Sequence, residues 1–104
     1  MFVIRQGDVL VFAETIPAET QPVERDNGRI ILAYGESTGH AHAILDRDVE
    51  LLSVADQVDR WLRVGTNGTT IQHEEHGAIT LPPGDYRVRI QRTYSPEAIR
   101  RVQD

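Results

Sequence analysis

The sequence predicts a single all-β domain, folded as a compact barrel or sandwich with a short helix at the C-terminus. The chain has 104 residues, which is the size of one domain. Short apolar or alternating segments, about eight in number, are separated by turn-forming residues, and this spacing is typical of barrels and sandwiches. Strands do not alternate with long helical patterns, which argues against a parallel α/β domain. We therefore expect one β domain over residues 1–104.

The first half of the chain begins with a predicted strand over residues 3–12, interrupted by the pair Gly7-Asp8. Its second part is a continuous apolar run, as in a strand buried on both faces. The polar stretch 13–27 contains two prolines and is expected to form a long loop that ends in an Asp-Asn-Gly turn. The next two predicted strands are residues 29–34 and 40–45.

The second half of the chain contains five more predicted strands, at residues 49–54, 60–64, 69–73, 78–81 and 85–93. The turn sequence GTNG at 65–68 predicts that the strands on either side of it form a hairpin. Ser95 as N-cap, with Pro96 at the first helical position, predicts a short terminal helix that ends near residue 102.

The composition excludes several classes of site. There is no cysteine, so disulfides, thiolate nucleophiles and cysteine-type zinc sites are excluded, and any transition metal must be held by nitrogen and oxygen. All eleven basic residues are arginine, which excludes lysine-based covalent chemistry because arginine stays protonated. The net charge of −5 argues against duplex DNA as a partner, since binding it requires many phosphates to be neutralised.

The sequence also carries no sign of a membrane or secretory segment. No window approaches the roughly 18 apolar residues that a membrane helix needs. The first residues, MFVIRQGD, lack the basic start and apolar run of a signal peptide. We therefore expect a cytoplasmic protein without membrane contact. A homodimer is a further expectation, because small open barrels often cover an edge strand by pairing.

All four histidines of the chain lie in two short segments, GHAH at 39–42 and HEEH at 73–76. On a strand, residues i and i+2 face the same side, so His40 and His42 point together. Imidazole is the commonest metal ligand near neutral pH, because the neutral ring has a free lone pair. Two imidazoles on one strand leave room for further ligands from a neighbouring strand.

His73 and His76 are three residues apart, and the glycine after them favours a tight turn or bulge over a helix. Such a bend brings both histidines inward, or only one of them together with Glu75. The sequence therefore predicts one divalent-metal site shared by the four histidines. Zinc, iron, manganese and nickel all suit such ligands. The alternative is a histidine-lined pocket that binds an anion or a base without a metal.

Several acidic residues are candidates for a role beside the histidines. Glu36, Glu74 and Glu75 are candidate general bases. Glu36 lies in the turn before His40 and is a candidate ligand as well; the alternative for it is a solvated loop acid. Asp8 is a candidate partner that orients a ligand histidine, although Gly-Asp more often forms only a turn. The HEEH segment is not the zinc-peptidase motif, whose histidines are four residues apart on a helix.

The first histidine segment and the later PPG turn resemble the two motifs of the cupin families. The residues that fall close to the spacing of the first motif are Gly35, His40, His42 and Asp46. In this chain aspartate stands where glutamate is usual. Pro82-Pro83-Gly84 is similar to the PxG turn of the second motif, but Arg87 stands where cupins place a histidine. The resemblance implies a cupin-like barrel whose histidines bind a metal.

The order of four segments is also similar to that in a group of small uncharacterised bacterial and phage proteins. In this chain the segments are GDVL at 7–10, GHAH at 39–42, HEEH at 73–76 and LPPGDY at 81–86. This second resemblance implies no established activity.

The last predicted strand, residues 85–93, carries Arg87 and Arg89 on one face, and Tyr86 precedes them in the same strand. The arginines are candidates for binding the carboxylate or phosphate of a small anionic substrate. Tyr86 is a candidate to contact that substrate or to stack on a base. The alternative is that the arginines pair with the many acidic side chains of the chain.

These observations leave functions of different classes open. One is a small metalloenzyme, in which the metal polarises a substrate oxygen or activates water or O₂. Another is a non-catalytic module that senses a ligand or a metal. A weaker alternative is the binding of single-stranded nucleic acid. An open coordination position favours the enzyme, and a closed four-ligand site favours the module.

Overall fold

The computed structural model describes residues 3–34 and 39–91. These residues form ten β-strands: β1 (Val3–Gln6), β2 (Val9–Ala13), β3 (Gln21–Pro22), β4 (Ile30–Tyr34), β5 (Ala41–Ile44), β6 (Val49–Ser53), β7 (Arg60–Val64), β8 (Thr69–Ile71), β9 (Ile79–Leu81) and β10 (Gly84–Ile90). Within the two described ranges there is no helix that could cross a membrane.

Six strands form the larger of two β-layers, in the order β1-β2-β10-β7-β6-β3. All neighbouring strands in this layer are antiparallel. The chain reverses between β1 and β2 over only two residues, Gly7 and Asp8. Gly7 has φ +58°, a conformation that glycine adopts without steric cost. The interruption expected at this pair is therefore a tight hairpin.

The smaller layer is built from two strand pairs. β4 pairs with β5, and β8 pairs with β9. A bridge between Ala43 and Gln72 joins the two pairs, with backbone N–H···O distances of 2.9 and 2.8 Å. The order in this layer is thus β4-β5-β8-β9, and the GHAH strand lies directly beside the start of the HEEH segment.

One hydrophobic core lies between the two layers. The larger layer contributes Val9, Val11, Val49, Leu51, Leu62, Val64, Tyr86 and Val88, and the smaller layer contributes Ile30, Ile44, Ile71 and Leu81. Burial of one such side chain stabilises the fold by about 1.5–3 kcal/mol. The prediction of an all-β domain is confirmed. Over the described ranges the strands form two layers around this core and do not close into one continuous barrel.

The predicted hairpin of residues 60–64 with 69–73 is wrong. β7 pairs with β6 along one edge and with β10 along the other, so neither edge is left for β8. The turn that follows β7 therefore carries the chain into the smaller layer, where β8 pairs with β9.

Two other expectations concern the long loop and the C-terminus. The loop predicted over 13–27 contains the short strand β3, because this part of the chain lies along the edge of β6 and Val23 N donates to Leu51 O at 2.8 Å. The helix predicted over 95–102 lies outside the described residues.

Candidate metal centre

The four histidines meet at one end of the core, where the β1–β2 hairpin of the larger layer faces the β5–β8 pair of the smaller layer. Strand β5 alternates, so that His42 and Ile44 face the core between the layers, while Ala41 and Ala43, which are also buried, lie on the opposite face. The Ala43–Gln72 bridge is antiparallel. Its register, continued toward the HEEH segment, sets His42 opposite His73, Ala41 opposite Glu74 and His40 opposite Glu75.

Contacts between side chains follow this register. The rings of His42 and His73 have centroids 4.4 Å apart. His73 also lies 4.6 Å from His76 and 5.8 Å from His40, again between ring centroids. His42 and His76 are stacked at 5.9 Å. The two segments, thirty residues apart in the chain, therefore form one contiguous group of imidazoles, which we call the histidine cluster (His40, His42, His73, His76).

The most constrained member of the cluster is His42, which is 3 % exposed. Its Nδ1 lies 2.8 Å from Oε1 of Gln6, a residue that is 2 % exposed at the end of β1. The amide nitrogen of Gln6 donates to the carbonyl oxygens of Ile71 at 3.0 Å and Gly77 at 2.9 Å. Both carbonyls can only accept, so the orientation of the Gln6 amide is fixed and its oxygen must face His42.

The tautomer of His42 follows from this arrangement. An amide oxygen only accepts hydrogen bonds, so Nδ1 of His42 carries the proton that it donates to Gln6. In the neutral ring Nε2 then keeps its lone pair. Nε2 lies 3.7 Å from a carboxylate oxygen of Asp8 in the adjacent hairpin. Two electron-pair donors therefore face each other at the end of the core.

His40 is held in a similar way from the other segment. Its Nδ1–H donates a hydrogen bond to Oε1 of Glu75, at an N···O distance of 2.9 Å. The His40 side chain is 26 % exposed and that of Glu75 is 64 % exposed, so this pair lies at the rim of the cluster. In the neutral ring of His40, as in that of His42, Nε2 carries the lone pair that a metal ion can bind.

His73 has a different set of partners. Its Nδ1 accepts the backbone N–H groups of Glu75 at 3.0 Å and His76 at 3.2 Å. These two hydrogen bonds close the turn of residues 73–76 around the ring, and they occupy the lone pair of Nδ1. A metal ion could bind Nδ1 only by replacing these two hydrogen bonds, and could bind Nε2 only if the proton moved to Nδ1.

Three residues of this end of the molecule bring ligand atoms close together. One nitrogen each of His40 and His73 and a carboxylate oxygen of Glu74 all lie within 4.8 Å of one another. Two ligands at about 2.1 Å from a tetrahedral ion stand about 3.4 Å apart, so each distance needs to shorten by at most about 1.4 Å. Oε1 of Glu74 also accepts the backbone N–H of Ala41 at 2.8 Å, which fixes the carboxylate beside the strand.

The hairpin residue Gly7 lies directly against the cluster. A Cβ atom at this position would stand 2.7 Å from Nε2 of His76 and 3.3 Å from Cε1 of His42. Both the positive φ and the contact with the rings therefore require glycine here. The neighbouring Asp8 is thus both a turn residue and a close neighbour of His42.

Two pKa values are displaced within the cluster. Burial lowers the pKa of His42 below 6.5, and the nearby His73 acts in the same direction, while Asp8 partly opposes them. The hydrogen bond from Ala41 N–H lowers the pKa of Glu74 below 4.5. At neutral pH His42 is therefore neutral and Glu74 is ionised, which are the protonation states of metal ligands.

The residues predicted to bind an anionic substrate do not meet the histidines. Arg87 and Arg89 lie on the face of β10 that points away from the core, where Asp59 lies 3.6 Å from Arg87 Nε and 3.1 Å from Arg89 Nη2. Glu14 lies 3.6 Å from Arg87 as well. The two arginines therefore pair with acidic side chains, which was the alternative to substrate binding. Tyr86 is 4 % exposed in the core, and its hydroxyl donates to Pro82 O at 2.7 Å.

The remaining acidic residues predicted for the site lie at different places in the structure. Glu75 anchors His40, and Glu36 lies outside the described residues. Asp46, at the position of the cupin acid, accepts a hydrogen bond from Thr69 Oγ1 at 2.5 Å. Gln6 was missed from the sequence. Its signal was a polar side chain two residues after Ile4, on the face of β1 that meets the core.

The comparisons with known proteins identify a family. Residues 5–91 match the model of a family described as a domain of unknown function (DUF8820). No significant match is found among curated proteins or among solved structures. The matched range covers most of the chain and includes Gln6, Asp8 and all four histidines. The chain therefore belongs to the DUF8820 family of domains of unknown function.

Proposed function

We propose that this domain binds one divalent transition-metal ion through the histidine cluster, with Glu74 as an additional ligand. The observation that carries the proposal is the way in which His40 and His42 are held. Each ring donates its Nδ1 proton to an acceptor on another part of the chain, Glu75 and Gln6 respectively. Histidines that bind metals almost always donate their second ring nitrogen in this way, which fixes the ring and leaves Nε2 for the ion.

The group formed by His40, His73 and Glu74 indicates where the ion would lie. Its ligand atoms are already within 4.8 Å of one another, and Glu74 is held in place by a backbone N–H. Two imidazoles and a carboxylate suit zinc, iron, manganese or nickel, and do not select among them. His42 and His76 contact His73 and are the remaining candidate ligands of the same ion.

The chemistry of such a centre depends on how many protein ligands close around the ion. The group is at the rim of the molecule, where His40 and His73 are half-buried and Glu74 is exposed. A site at the rim leaves room for water or a substrate oxygen at an open position, as a metalloenzyme requires. Closure by all four histidines gives the alternative, a non-catalytic metal-sensing module.

The resemblance to cupins belongs to the same proposal. Two β-layers with a histidine pair at one end of the core are compatible with a cupin-like arrangement. The resemblance supports a metal role for His40 and His42. It does not extend to Asp46, whose carboxylate binds Thr69.

The proposal is tested by elemental analysis of protein purified without chelator, followed by calorimetric titration of the chelator-treated protein with zinc. We expect one ion per chain. His42→Ala and Glu74→Gln should each weaken zinc binding at least tenfold, because each removes or neutralises one ligand. Glu50→Gln is the matched control, since Glu50 is an exposed acid of the larger layer that pairs with Arg63.

Two results would contradict parts of this proposal. If the wild-type protein neither retains nor rebinds a stoichiometric metal, metal binding is wrong. If His73→Ala and His76→Ala both bind zinc as tightly as the wild type, the ion does not join the two histidine segments.

A further inference from the structure

A small open groove lies on the outward face of the smaller layer, next to the candidate metal ligands. Its volume is about 170 Å³, below the roughly 300–1,000 Å³ that drug-sized ligands occupy. The residues that line it are Arg29, Ala41, Ala43, Leu45, Gln72, His73 and Glu74. Two of these, His73 and Glu74, also belong to the group of close ligand atoms. The groove therefore adjoins the candidate metal ligands.

The walls of this groove are chemically unlike one another. Ala41 and Ala43 of β5 form the floor of the groove, with only 2 % and 5 % of each residue exposed, and their small side chains leave the groove open. Leu45, which is 52 % exposed, adds an accessible apolar surface beside this floor. Arg29 supplies a cation, and no ion pair of its side chain occurs within residues 3–34 and 39–91.

We propose that the groove binds a small carboxylate, with the carboxylate on Arg29, a short apolar chain over Ala41 and Ala43, and the far end at the metal ion. Arginine binds carboxylates through paired hydrogen bonds, and its charge complements an anion. The volume limits the ligand to a molecule of a few carbon atoms. This inference rests on the proposed metal site and names the ligand class for it.

The apolar surface and the charges together select this ligand over others. When no metal is bound, the negative charge of Glu74 repels the second carboxylate of a dicarboxylate ligand at the far end of the groove. A bound divalent ion reverses that field and supplies a ligand position for the same group. A short dicarboxylate should therefore bind well only to the metal-loaded protein, whereas a monocarboxylate depends mainly on Arg29.

The experiment compares butanoate, glutarate and 1-butanol as probes of the full chain, with and without stoichiometric zinc. Binding is followed by the NMR shifts of backbone amides. Both carboxylates should shift the amides of Ala43, Leu45 and Gln72, and 1-butanol should bind at least tenfold more weakly than butanoate. Zinc should raise the affinity for glutarate at least tenfold and change that for butanoate less.

Variants locate the binding on Arg29 and on the groove. Arg29→Ala should weaken both carboxylates at least tenfold and leave zinc stoichiometry unchanged. Ala43→Leu should fill the groove and block the carboxylates, again with zinc still bound. Arg60→Ala, which removes an exposed arginine of the larger layer, is the matched control and should change neither.

The outcomes separate the two proposals. If zinc binds and carboxylate affinity is the same in Arg29→Ala as in the wild type, the groove inference is overturned while the metal site stands. The same conclusion follows if zinc binds and does not alter glutarate affinity. If no zinc binds in the calorimetric titration, the proposed function fails, and the ligand class assigned to it fails with it.

Discussion

At the scale of single residues, Gln6 and Gly7 shape the histidine cluster more than any acidic residue does. Gln6 uses all of its amide to join the two layers and to fix the proton of His42. Gly7 brings the backbone of the hairpin against the rings of His42 and His76. Neither residue would be chosen as a candidate ligand, yet Gln6 determines which nitrogen of His42 is free and Gly7 allows the hairpin to approach the rings.

Replacement of Gln6 by leucine should destabilise the protein and allow the proton of His42 to lie on either ring nitrogen. Two backbone carbonyls and the His42 Nδ1–H lose their buried partner, which costs about 2–4 kcal/mol. Urea unfolding measures the stability, and ¹⁵N NMR of the imidazole reports which nitrogen carries the proton. Gln57→Leu, at an exposed position, should change neither. An unchanged Nδ1–H tautomer in Gln6→Leu would show that Gln6 does not set it.

Replacement of Gly7 by alanine should weaken metal binding as well as stability. A positive φ costs a non-glycine residue about 1–2 kcal/mol, and the new Cβ would in addition displace His76. Gly28→Ala is a matched control, because Gly28 has φ +80° but no neighbouring atom within 4 Å of the added Cβ. We expect both variants to lose stability in urea unfolding and only Gly7→Ala to lose zinc affinity. Equal zinc affinity in the two variants would contradict a role for the hairpin in the site.

At the scale of elements, the site depends on one strand and one turn that the Ala43–Gln72 bridge holds in register. Strand β5 places His42 on the inner side and Ala41 and Ala43 on the opposite side, where they form the floor of the groove. His73 and Glu74 line the groove and also belong to the group of close ligand atoms. The turn at 73–76 is closed by His73 Nδ1, which accepts two backbone N–H groups. The metal must therefore compete with the turn for this ring.

Zinc should loosen the turn if His73 becomes a ligand. In the metal-free protein the amides of Glu75 and His76 donate to His73 Nδ1, and binding of the ion to either ring nitrogen requires both of these bonds to be lost. We expect hydrogen exchange at these two amides to accelerate at least several-fold on zinc loading. The amide of Ala43, which donates to Gln72, serves as the internal control. Unchanged protection at stoichiometric zinc would mean that His73 is not a ligand.

At the scale of the whole molecule, the site lies where two β-layers meet and its buried imidazole is linked to folding. Burial lowers the pKa of His42 in the folded protein, so the unfolded chain takes up a proton at a higher pH than the folded chain does. The contribution of neutral His42 to the free energy of unfolding is complete above pH 6.5. It is lost as the pH falls from there toward the pKa of His42 in the folded state. Glu74, whose pKa is also lowered, adds a similar loss at a lower pH, below 4.5.

The stability of the chelator-treated protein should therefore decrease between pH 7 and pH 5.5. One proton changes the free energy of unfolding by at most about 1.4 kcal/mol per pH unit. Urea unfolding of the wild type and of His42→Gln across this range measures the contribution of His42. The slope with pH should be smaller in the variant. Equal slopes would show that His42 is not the group that resists protonation.

The sequence alone determined the fold class, most of the strands and the identity of the histidine segments. Alternating apolar residues and turn sequences are local signals, so β4 to β7 and β10 were predictable from the chain itself. The spacing of His40 and His42 likewise needed only the two-residue period of a strand, which sets them on one side of β5.

What lies beside these segments depends on contacts between distant parts of the chain. The pairing of β8 with β9 rather than β7 depends on β7 having both edges occupied, which no local pattern records. Long-range contacts also brought Gln6 to His42 and Arg29 to the groove, while Arg87 was turned toward Asp59 on the outer face. Sequence periodicity defines which side chains share a face of one strand, and the packing of layers defines which faces meet.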